Sequence, residues 1–216
     1  SNQVGNIDLD SSNSICTGWN PAANSCTGTN GGDVVMAGEA ADVQDPTRPG
    51  GFAQGSGTTS RTSAGVALGP CAGQNTVSTG NTIDTRGGDL IIRGVGTSGT
   101  VVANTIQPGV AICNGNTINV GTGLIDIQAR FGTATGGFNQ ALWIAPWISS
   151  TPNTSSVVIN SANSSSDALR IKAWGSVADL SSYGMTYNNS AAGGATFEVG
   201  SLRTNSLYLN FNSAGP

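Results

Sequence analysis

The sequence predicts an all-β protein built as a β-solenoid, and one internal repeat carries most of that prediction. Segment 81–93 returns without a gap as segment 116–128, at an offset of 35 residues, with the same or a similar residue at six positions. Each copy contains a short apolar strand, a glycine-containing corner and a second short strand. A unit this small cannot bury its own apolar face, but stacking it on copies of itself can. Apolar residues also alternate with period two, and no window has the spacing of an amphipathic helix.

Weaker copies of the same phrase extend the pattern along the chain. Segment 31–38 resembles 87–94, Leu169–Ala173 resembles Ile125–Ala129, and the alternating segment 196–202 leads to another at 206–211. The irregular distances between copies predict coils interrupted by loops of different lengths. We expect Ile83 to stack on Ile118 or on an equivalent strand of an adjacent coil. Period-two alternation further predicts that Asp126 faces outward and that four residues point inward: Leu90, Ile92, Ile125 and Ile127.

The chain of 216 residues is long enough for one domain with a sizeable core, and no linker divides it. We therefore predict a single domain over 1–216. Residues 41–70 contain Pro46, Pro49 and a Gly/Ser/Thr-rich tract, which indicates a loop-rich insertion. The Ser1-Asn2 start resembles a tag scar, and the Gly215-Pro216 end looks cut from something longer, so we expect a fragment of a larger exported protein.

Charged residues make up only 9 % of the chain, with one lysine and no histidine. Asn, Ser and Thr ladders, which hydrogen-bond along a stack of coils, are expected to supply the polarity instead. The net charge is −4, and the eight scattered basic residues form no phosphate-binding stripe, so we predict no nucleic-acid partner. No stretch approaches the roughly 18 apolar residues of a membrane span, so membrane insertion of this segment is not predicted.

The four cysteines are an even number and allow three pairings. Cys16 and Cys26 bracket a turn-rich loop, so we favour a Cys16–Cys26 disulfide together with Cys71–Cys113. A zinc site is disfavoured because the chain has no histidine and no Cys-x-x-Cys pair. Disulfides would indicate an oxidising, extracytoplasmic compartment, whereas four unpaired buried thiols are the alternative.

The repeated phrases also resemble a known family. The phrase Asn-Thr-Ile-x-Thr-x-Gly-Gly-Asp-Leu-x-Ile at 81–92, its copy at 116–127 and Gly-Gly-Asp-Val-Val-Met at 31–36 are similar to repeats of large exported haemagglutinin-type adhesins. Filamentous haemagglutinins of the two-partner secretion pathway are the best-known members, and autotransporter passengers share the fold and composition. The resemblance covers about half of the chain. It implies a right-handed parallel β-helix, secreted or held at a bacterial cell surface, whose parent protein has an outer-membrane secretion partner. The chain departs from the family in having four cysteines and in lacking a recognisable secretion cap.

Catalysis has few candidate residues. The absence of histidine excludes Ser-His-Asp and Cys-His arrangements, and nothing around the single lysine, Lys172, indicates an activated group. Parallel β-helices also host polysaccharide lyases and glycosidases, and glycosidases need two carboxylates at a defined separation. Asp84, Asp89 and Asp126 are the candidates for this alternative function. Solvent-facing strand and turn residues are the simpler interpretation, and we predict no catalytic residue and no cofactor.

An acidic cluster raises the possibility of calcium. Asp33, Glu39, Asp42 and Asp45 lie close together in sequence, and calcium prefers such oxygen ligands. Neither an Asp-x-Asp-x-Asp-Gly loop nor the nonapeptide of calcium-binding β-rolls is present. A solvated acidic loop is therefore the favoured interpretation, and no metal ligand is predicted.

Three tryptophans are candidate binding residues. Trp143 and Trp147 lie in the most apolar stretch of the chain. If exposed, their rings would stack on sugar faces, and if buried, they would fill the core. Their apolar neighbours favour burial. Trp19 lies among polar residues in the Cys16–Cys26 loop and is a candidate contact residue. We therefore expect a non-enzymatic segment of a surface adhesin or filament, which binds a host or neighbouring-cell receptor or glycan through loops or extends a binding region.

Overall fold

The computed structural model describes residues 6–10, 12–41, 49–57, 64–69, 80–98, 100, 106–113, 115–130, 132, 138–144, 157–165, 168–174, 178–180, 185–189, 195–199, 202–203 and 209–213. Within these ranges all regular structure is β-strand, and there is no helix. The strands are β1 (Ile7–Leu9), β2 (Ser14–Cys16), β3 (Trp19–Asn20), β4 (Ser25–Cys26), β5 (Val34–Met36), β6 (Gly38–Ala41), β7 (Pro49–Gly51), β8 (Ala53–Gln54), β9 (Val66–Leu68), β10 (Thr82–Asp84), β11 (Leu90–Val95), β12 (Ile106–Ile112), β13 (Thr117–Gly121), β14 (Ile125–Arg130), β15 (Phe138–Ile144), β16 (Val157–Ser161), β17 (Leu169–Trp174), β18 (Ala178–Leu180), β19 (Met185–Asn189), β20 (Ala195–Val199), β21 (Leu202–Arg203) and β22 (Leu209–Ser213).

Three parallel sheets contain most of these strands. The first sheet has the order β1-β9-β12-β15-β18-β21, and the second has the order β2-β10-β13-β16-β19-β22. The third has the order β20-β17-β14-β11-β5, with β8 also paired to β11. Two small antiparallel pairs, β3-β4 and β6-β7, lie outside these sheets. Consecutive strands such as β9, β10 and β11 thus enter the three sheets in turn, and the next three strands repeat the order.

The internal repeat of the sequence sets the register between neighbouring strands. Ile83 of β10 is paired with Ile118 of β13, as predicted from the 35-residue offset. The four residues predicted to point inward are fully buried and form two register pairs in the third sheet: Leu90 with Ile125, and Ile92 with Ile127. A strand pair of this kind buries its apolar face only in one register, because a slip of one residue turns every side chain over.

Three neighbouring strands of the first sheet, β9, β12 and β15, are covered on both faces. Val66, Leu68, Val110, Ile112, Leu142 and Ile144 belong to the main apolar core, which all three sheets line. The alternate residues of the same strands, Ala67, Ala111 and Trp143, form a second buried cluster with Ala64 and Cys113. A sheet that is buried on both faces reads as a continuous apolar run, which is why the stretch around Trp143 is so apolar.

Buried asparagines form a ladder where the chain passes from the first sheet to the second. Asn116 accepts a hydrogen bond at Oδ1 from the backbone N–H of Asn81 (2.9 Å), and Asn81 accepts one from the backbone N–H of Asn13 (3.0 Å). The Nδ2 group of Asn116 donates to the carbonyls of Leu68 (3.0 Å) and Cys113 (2.5 Å). Asn81 and Asn116 are almost fully buried, so the side chains satisfy backbone groups that water cannot reach. An asparagine ladder is thus present, but it is buried and satisfies backbone groups, so it does not supply the surface polarity expected of such ladders.

The corner between the second and third sheets depends on glycine and aspartate. A Cβ atom on Gly123 would lie 2.0 Å from the carbonyl oxygen of Gly88, so only glycine allows the two backbones to approach. Asp33 accepts a hydrogen bond from the N–H of Asp89 (2.8 Å), and Asp89 accepts one from the N–H of Leu124 (2.8 Å). Each aspartate therefore holds the start of the neighbouring strand in the third sheet: Asp33 that of β11, and Asp89 that of β14.

One prediction from the sequence needs correction. Asp126, predicted to face solvent, is only 6 % exposed, because Arg93, Gln128 and Arg170 surround its carboxylate. The described part of segment 41–70, which is predicted to be a loop-rich insertion, contains three short strands: β7, β8 and the fully buried β9. β9 was missed because it has only three apolar residues, between Gly65 and Gly69.

Candidate functional site

A disulfide-closed hairpin presents an exposed tryptophan beside the second sheet. Cys16 and Cys26 are bonded, which confirms the predicted local disulfide, and β3 and β4 pair antiparallel between them. Trp19 begins β3 and is 55 % exposed, the largest exposure of any bulky apolar side chain among the described residues. The hairpin is too short to bury this ring, and the disulfide restricts how far the loop can move.

Arg86 connects this hairpin to the second sheet. Its backbone has φ of 51°, a left-handed conformation that is uncommon for a residue with a side chain. The backbone N–H of Arg86 donates to Asp84 Oδ1 (3.2 Å), and Arg86 Nε lies 3.0 Å from Asp84 Oδ2 as an ion pair. The guanidinium also donates to the carbonyl of Cys26, and a Cβ on Gly18 would lie 2.6 Å from Arg86 Cγ. The hairpin therefore rests directly on this arginine.

The outward face of the second sheet carries a polar row that runs across the strands. Cys16, Asp84, Asn119 and Asn160 occupy equivalent positions in four consecutive strands. Asn160 Nδ2 donates to Asn119 Oδ1 over 2.7 Å. This is the cross-strand stacking of amides that parallel, in-register strands permit.

A cleft of about 320 Å³ opens on this row. Its walls include Asp84, Arg86, Asn119, Asn160 and Ser161. Gly121, whose φ is 59°, also lies at the cleft, and the register between β13 and β16 shifts there, between Asn119 and Gly121. The cleft thus lies at an irregularity of the sheet, and its lining is made of amide, hydroxyl and charged groups.

The other predicted binding residues lie elsewhere. Trp143 is 4 % exposed and packs in the second apolar cluster, which is the buried alternative that its apolar neighbours favoured. Trp147 lies outside the described residues. Cys113 is buried and disulfide-bonded, but Cys71 also lies outside the described part of the chain, so the Cys71–Cys113 pairing stays a prediction.

The three candidate catalytic carboxylates do not share one site. Asp84 lines the cleft and forms an ion pair with Arg86, whereas Asp89 accepts a hydrogen bond from the backbone N–H of Leu124, just before β14. Asp126 lies in the third sheet, where its Oδ2 atom is 3.4 Å from Arg93 Nη2 and 3.7 Å from Arg170 Nη2. Among the described residues that line the cleft, Asp84 is the one carboxylate, so a pair of carboxylates facing a substrate is not formed there.

The described residues contain neither a cluster of metal-binding side chains nor a membrane-spanning helix. Within the described ranges, no three or more Cys, Asp or Glu side chains gather where they could hold a metal ion. Asp33 of the predicted acidic cluster is described, and it bonds the backbone of Asp89; Asp42 and Asp45 lie outside the described residues. The described ranges also contain no helix with the length and apolar character needed to cross a membrane.

Sequence reasoning missed Arg86, Asn119 and Asn160 as members of a site. One signal was available, because Asp84 and Asn119 occupy the same position in the two copies of the repeat. Asn160 lies outside that repeat and joins the row only through the pairing of β13 with β16.

The comparisons with known proteins identify no relative. No family model matches the chain. No curated protein and no solved structure gives a match either. The function must therefore be argued from the residues and their geometry.

Proposed function

We propose that the three parallel sheets close into a right-handed parallel β-helix, in which each coil contributes one strand to each sheet. The regular strand order and the buried asparagine and glycine corners support this architecture. Connections between parallel strands are right-handed in about 98 % of cases, which supports the handedness. An experimental structure that showed the three sheets as separate layers, or a left-handed path, would contradict the proposal.

The function we propose for this stack is attachment. The chain acts as a non-enzymatic segment of a secreted or cell-surface adhesin and binds a receptor or glycan on a host or neighbouring cell. A parallel stack in which each coil contacts only its neighbours forms a rigid rod that can carry loops without disturbing its core. The resemblance of the repeated phrases to haemagglutinin-type adhesins supports the same function, and an outer-membrane secretion partner of the parent protein is part of the proposal.

The exposure of Trp19 is the observation that carries this proposal. An exposed aromatic ring on a restrained hairpin has little conformational freedom left to lose on binding, and tryptophan is one of the residues enriched at binding hot spots. The hairpin is fixed by the Cys16–Cys26 disulfide and by Arg86, so the ring is presented in a defined place.

Attachment can be measured with beads coated with the purified protein. We expect them to adhere to cultured epithelial cells or to immobilised glycans more strongly than albumin-coated beads do. Trp19→Ala should weaken the affinity on which adhesion depends about thirtyfold or more, because truncating a hot-spot aromatic costs about 2 kcal/mol or more of binding energy. Ala22→Ser, which changes another exposed residue of the same loop, is the matched control and should adhere like the parent.

Two results would refute the proposal at different levels. Adhesion no greater than that of albumin on every surface would remove the attachment function. Full adhesion by Trp19→Ala would leave attachment in place but remove the role of the hairpin. The alternative, a carbohydrate-active enzyme using Asp84, Asp89 or Asp126, predicts release of reducing ends or unsaturated products from polysaccharides, which we do not expect.

A further inference from the structure

The polar row of the second sheet has a regular geometry that the attachment function leaves unused. Neighbouring strands of a sheet lie about 4.8 Å apart, so the three steps from Asn160 through Asn119 and Asp84 to Cys16 cover about 14 Å. The cleft spans the Asp84, Asn119 and Asn160 positions of this row, and the Trp19 hairpin begins at the remaining position, Cys16. A ligand lying across the strands could therefore contact both.

The groups in the cleft define the chemistry of that ligand. Asn119 accepts one side-chain hydrogen bond at Oδ1, and its Nδ2 group offers two N–H donors on the cleft wall. The carboxylate of Asp84 has room for acceptor contacts beyond those made with Arg86. Donors and acceptors lie side by side, which suits vicinal hydroxyl groups, since each hydroxyl both donates and accepts.

The charge of the cleft favours a neutral ligand. Asp84 and Arg86 form an ion pair within it, and the other polar walls, which include Asn119 and Asn160, are uncharged. An anionic ligand would meet the carboxylate of Asp84, and a cationic ligand would meet the guanidinium of Arg86. The volume of about 320 Å³ falls at the low end of the range for small-molecule sites, about 300–1,000 Å³.

The hairpin supplies the second half of the site. Trp19 is the register partner of Cys26, whose carbonyl accepts a hydrogen bond from the same Arg86 side chain that lines the cleft. Exposed tryptophan offers an apolar face on which a pyranose ring stacks, while polar groups nearby bind its hydroxyls. Arg86 therefore links the amide and carboxylate groups of the cleft to the strand pair that carries Trp19.

From this arrangement we infer that the cleft and the Trp19 hairpin together form a binding site for a neutral oligosaccharide that runs across the strands of the second sheet. The inference deepens the proposed attachment function and rests on it for the choice of glycan as partner. The cleft binds one end of the sugar chain through Asp84 and Asn119. The hairpin contacts sugar units further along, so affinity depends on the length of the chain.

The test is isothermal titration calorimetry of the full chain with neutral gluco-, manno- and N-acetylglucosamine oligosaccharides, from disaccharides to hexasaccharides. We expect affinity for at least one series to rise with chain length. Asn119→Ala should weaken binding about tenfold at every length, which corresponds to about 1.4 kcal/mol. Trp19→Ala should leave the disaccharide unaffected and remove the gain from lengthening the chain.

Matched variants separate binding from folding. Thr82→Ala changes an exposed residue two positions before Asp84, on the same face but outside the cleft lining, and should bind like the parent. Ala162→Phe, which adds bulk to the cleft wall without removing a hydrogen-bonding side chain, should abolish binding. Melting curves that match the parent establish that each variant is folded.

Several outcomes would overturn the inference. The inference fails if no neutral series binds, or if oligogalacturonate binds more strongly than any neutral chain. It also fails if Asn119→Ala and Ala162→Phe bind as tightly as the parent protein. These results are distinguishable from failure of the attachment function. If beads carrying the cleft variants adhere to cells as well as beads carrying the parent, attachment stands and the oligosaccharide site in the cleft is refuted. If the protein binds oligosaccharides but the beads do not adhere, the site stands and the attachment function is refuted.

Discussion

Replacing Asn116 with alanine should destabilise the protein far more than the same replacement at Asn119, three residues further on. Asn116 is 2 % exposed, and its side chain makes three hydrogen bonds to backbone groups: two to the distant Asn81 and Leu68, and one to Cys113, three residues earlier. Asn119 is half-buried on the outward face of the second sheet, where its side chain accepts one hydrogen bond from Asn160. The two variants remove the same atoms, so their comparison isolates the ladder.

The magnitude follows from the bonds that are lost. Asn116→Ala leaves the buried N–H of Asn81 without its acceptor, and an unsatisfied buried group costs about 1–3 kcal/mol. The two hydrogen bonds that Nδ2 donates contribute up to about 1 kcal/mol each. The loss at Leu68 is the smaller one, because its carbonyl still accepts a hydrogen bond from the backbone N–H of Cys113 (2.8 Å). We expect a total near 3 kcal/mol, a large fraction of the about 5–15 kcal/mol of a typical domain. Asn119→Ala should cost about 1 kcal/mol or less.

Equilibrium unfolding in urea, followed by circular dichroism, measures the difference. With a slope of about 2 kcal/mol per molar urea, Asn116→Ala should lower the midpoint by about 1.5 M, and Asn119→Ala by less than about 0.5 M. Equal shifts for the two variants would refute the reasoning, because they would show that the buried ladder contributes no more than an exposed amide pair.

Three further predictions concern stability. Gly88→Ala should destabilise the fold by several kcal/mol, because the added Cβ would lie 2.2 Å from the carbonyl oxygen of Gly32. Gly32→Ala has open space around the added Cβ and should be neutral or slightly stabilising. Thermal melts compare the two variants, and similar losses of stability would contradict the predicted clash. Reducing the Cys16–Cys26 disulfide should lower the free energy of unfolding by about 2–4 kcal/mol. Urea unfolding measures this loss, and a Cys16→Ser/Cys26→Ser double variant, which lacks the bond, is the reference. An unchanged free energy of unfolding on reduction would count against the prediction. Asp126→Asn should lower the free energy of unfolding by about 3 kcal/mol, because the buried Arg93 loses its carboxylate partner. Unchanged stability in urea would show that the ion pairs of Asp126 contribute little.

Some features of this protein could be predicted from the sequence. The 35-residue repeat and its period-two alternation were sufficient to predict an all-β chain, the pairing of Ile83 with Ile118 and the burial of Leu90 and Ile92. In a stack of coils the important contacts join equivalent positions of neighbouring copies, so a local phrase that repeats carries its own pairing information. The Cys16–Cys26 disulfide was predictable for a similar reason, because a short turn-rich loop already holds its ends close together.

Only the tertiary structure decided which outward residues are covered and which groups meet. Asp126 alternates with apolar residues as a surface residue does, yet it is buried, because alternation gives the face of a strand and not what packs against that face. The cleft that joins Asp84, Asn119 and Asn160 depends on parallel pairing across offsets of 35 and 41 residues, and the second offset follows no repeat in the sequence. The position of Arg86 between that cleft and the Trp19 hairpin arises from contacts 60 residues apart, which no local pattern encodes.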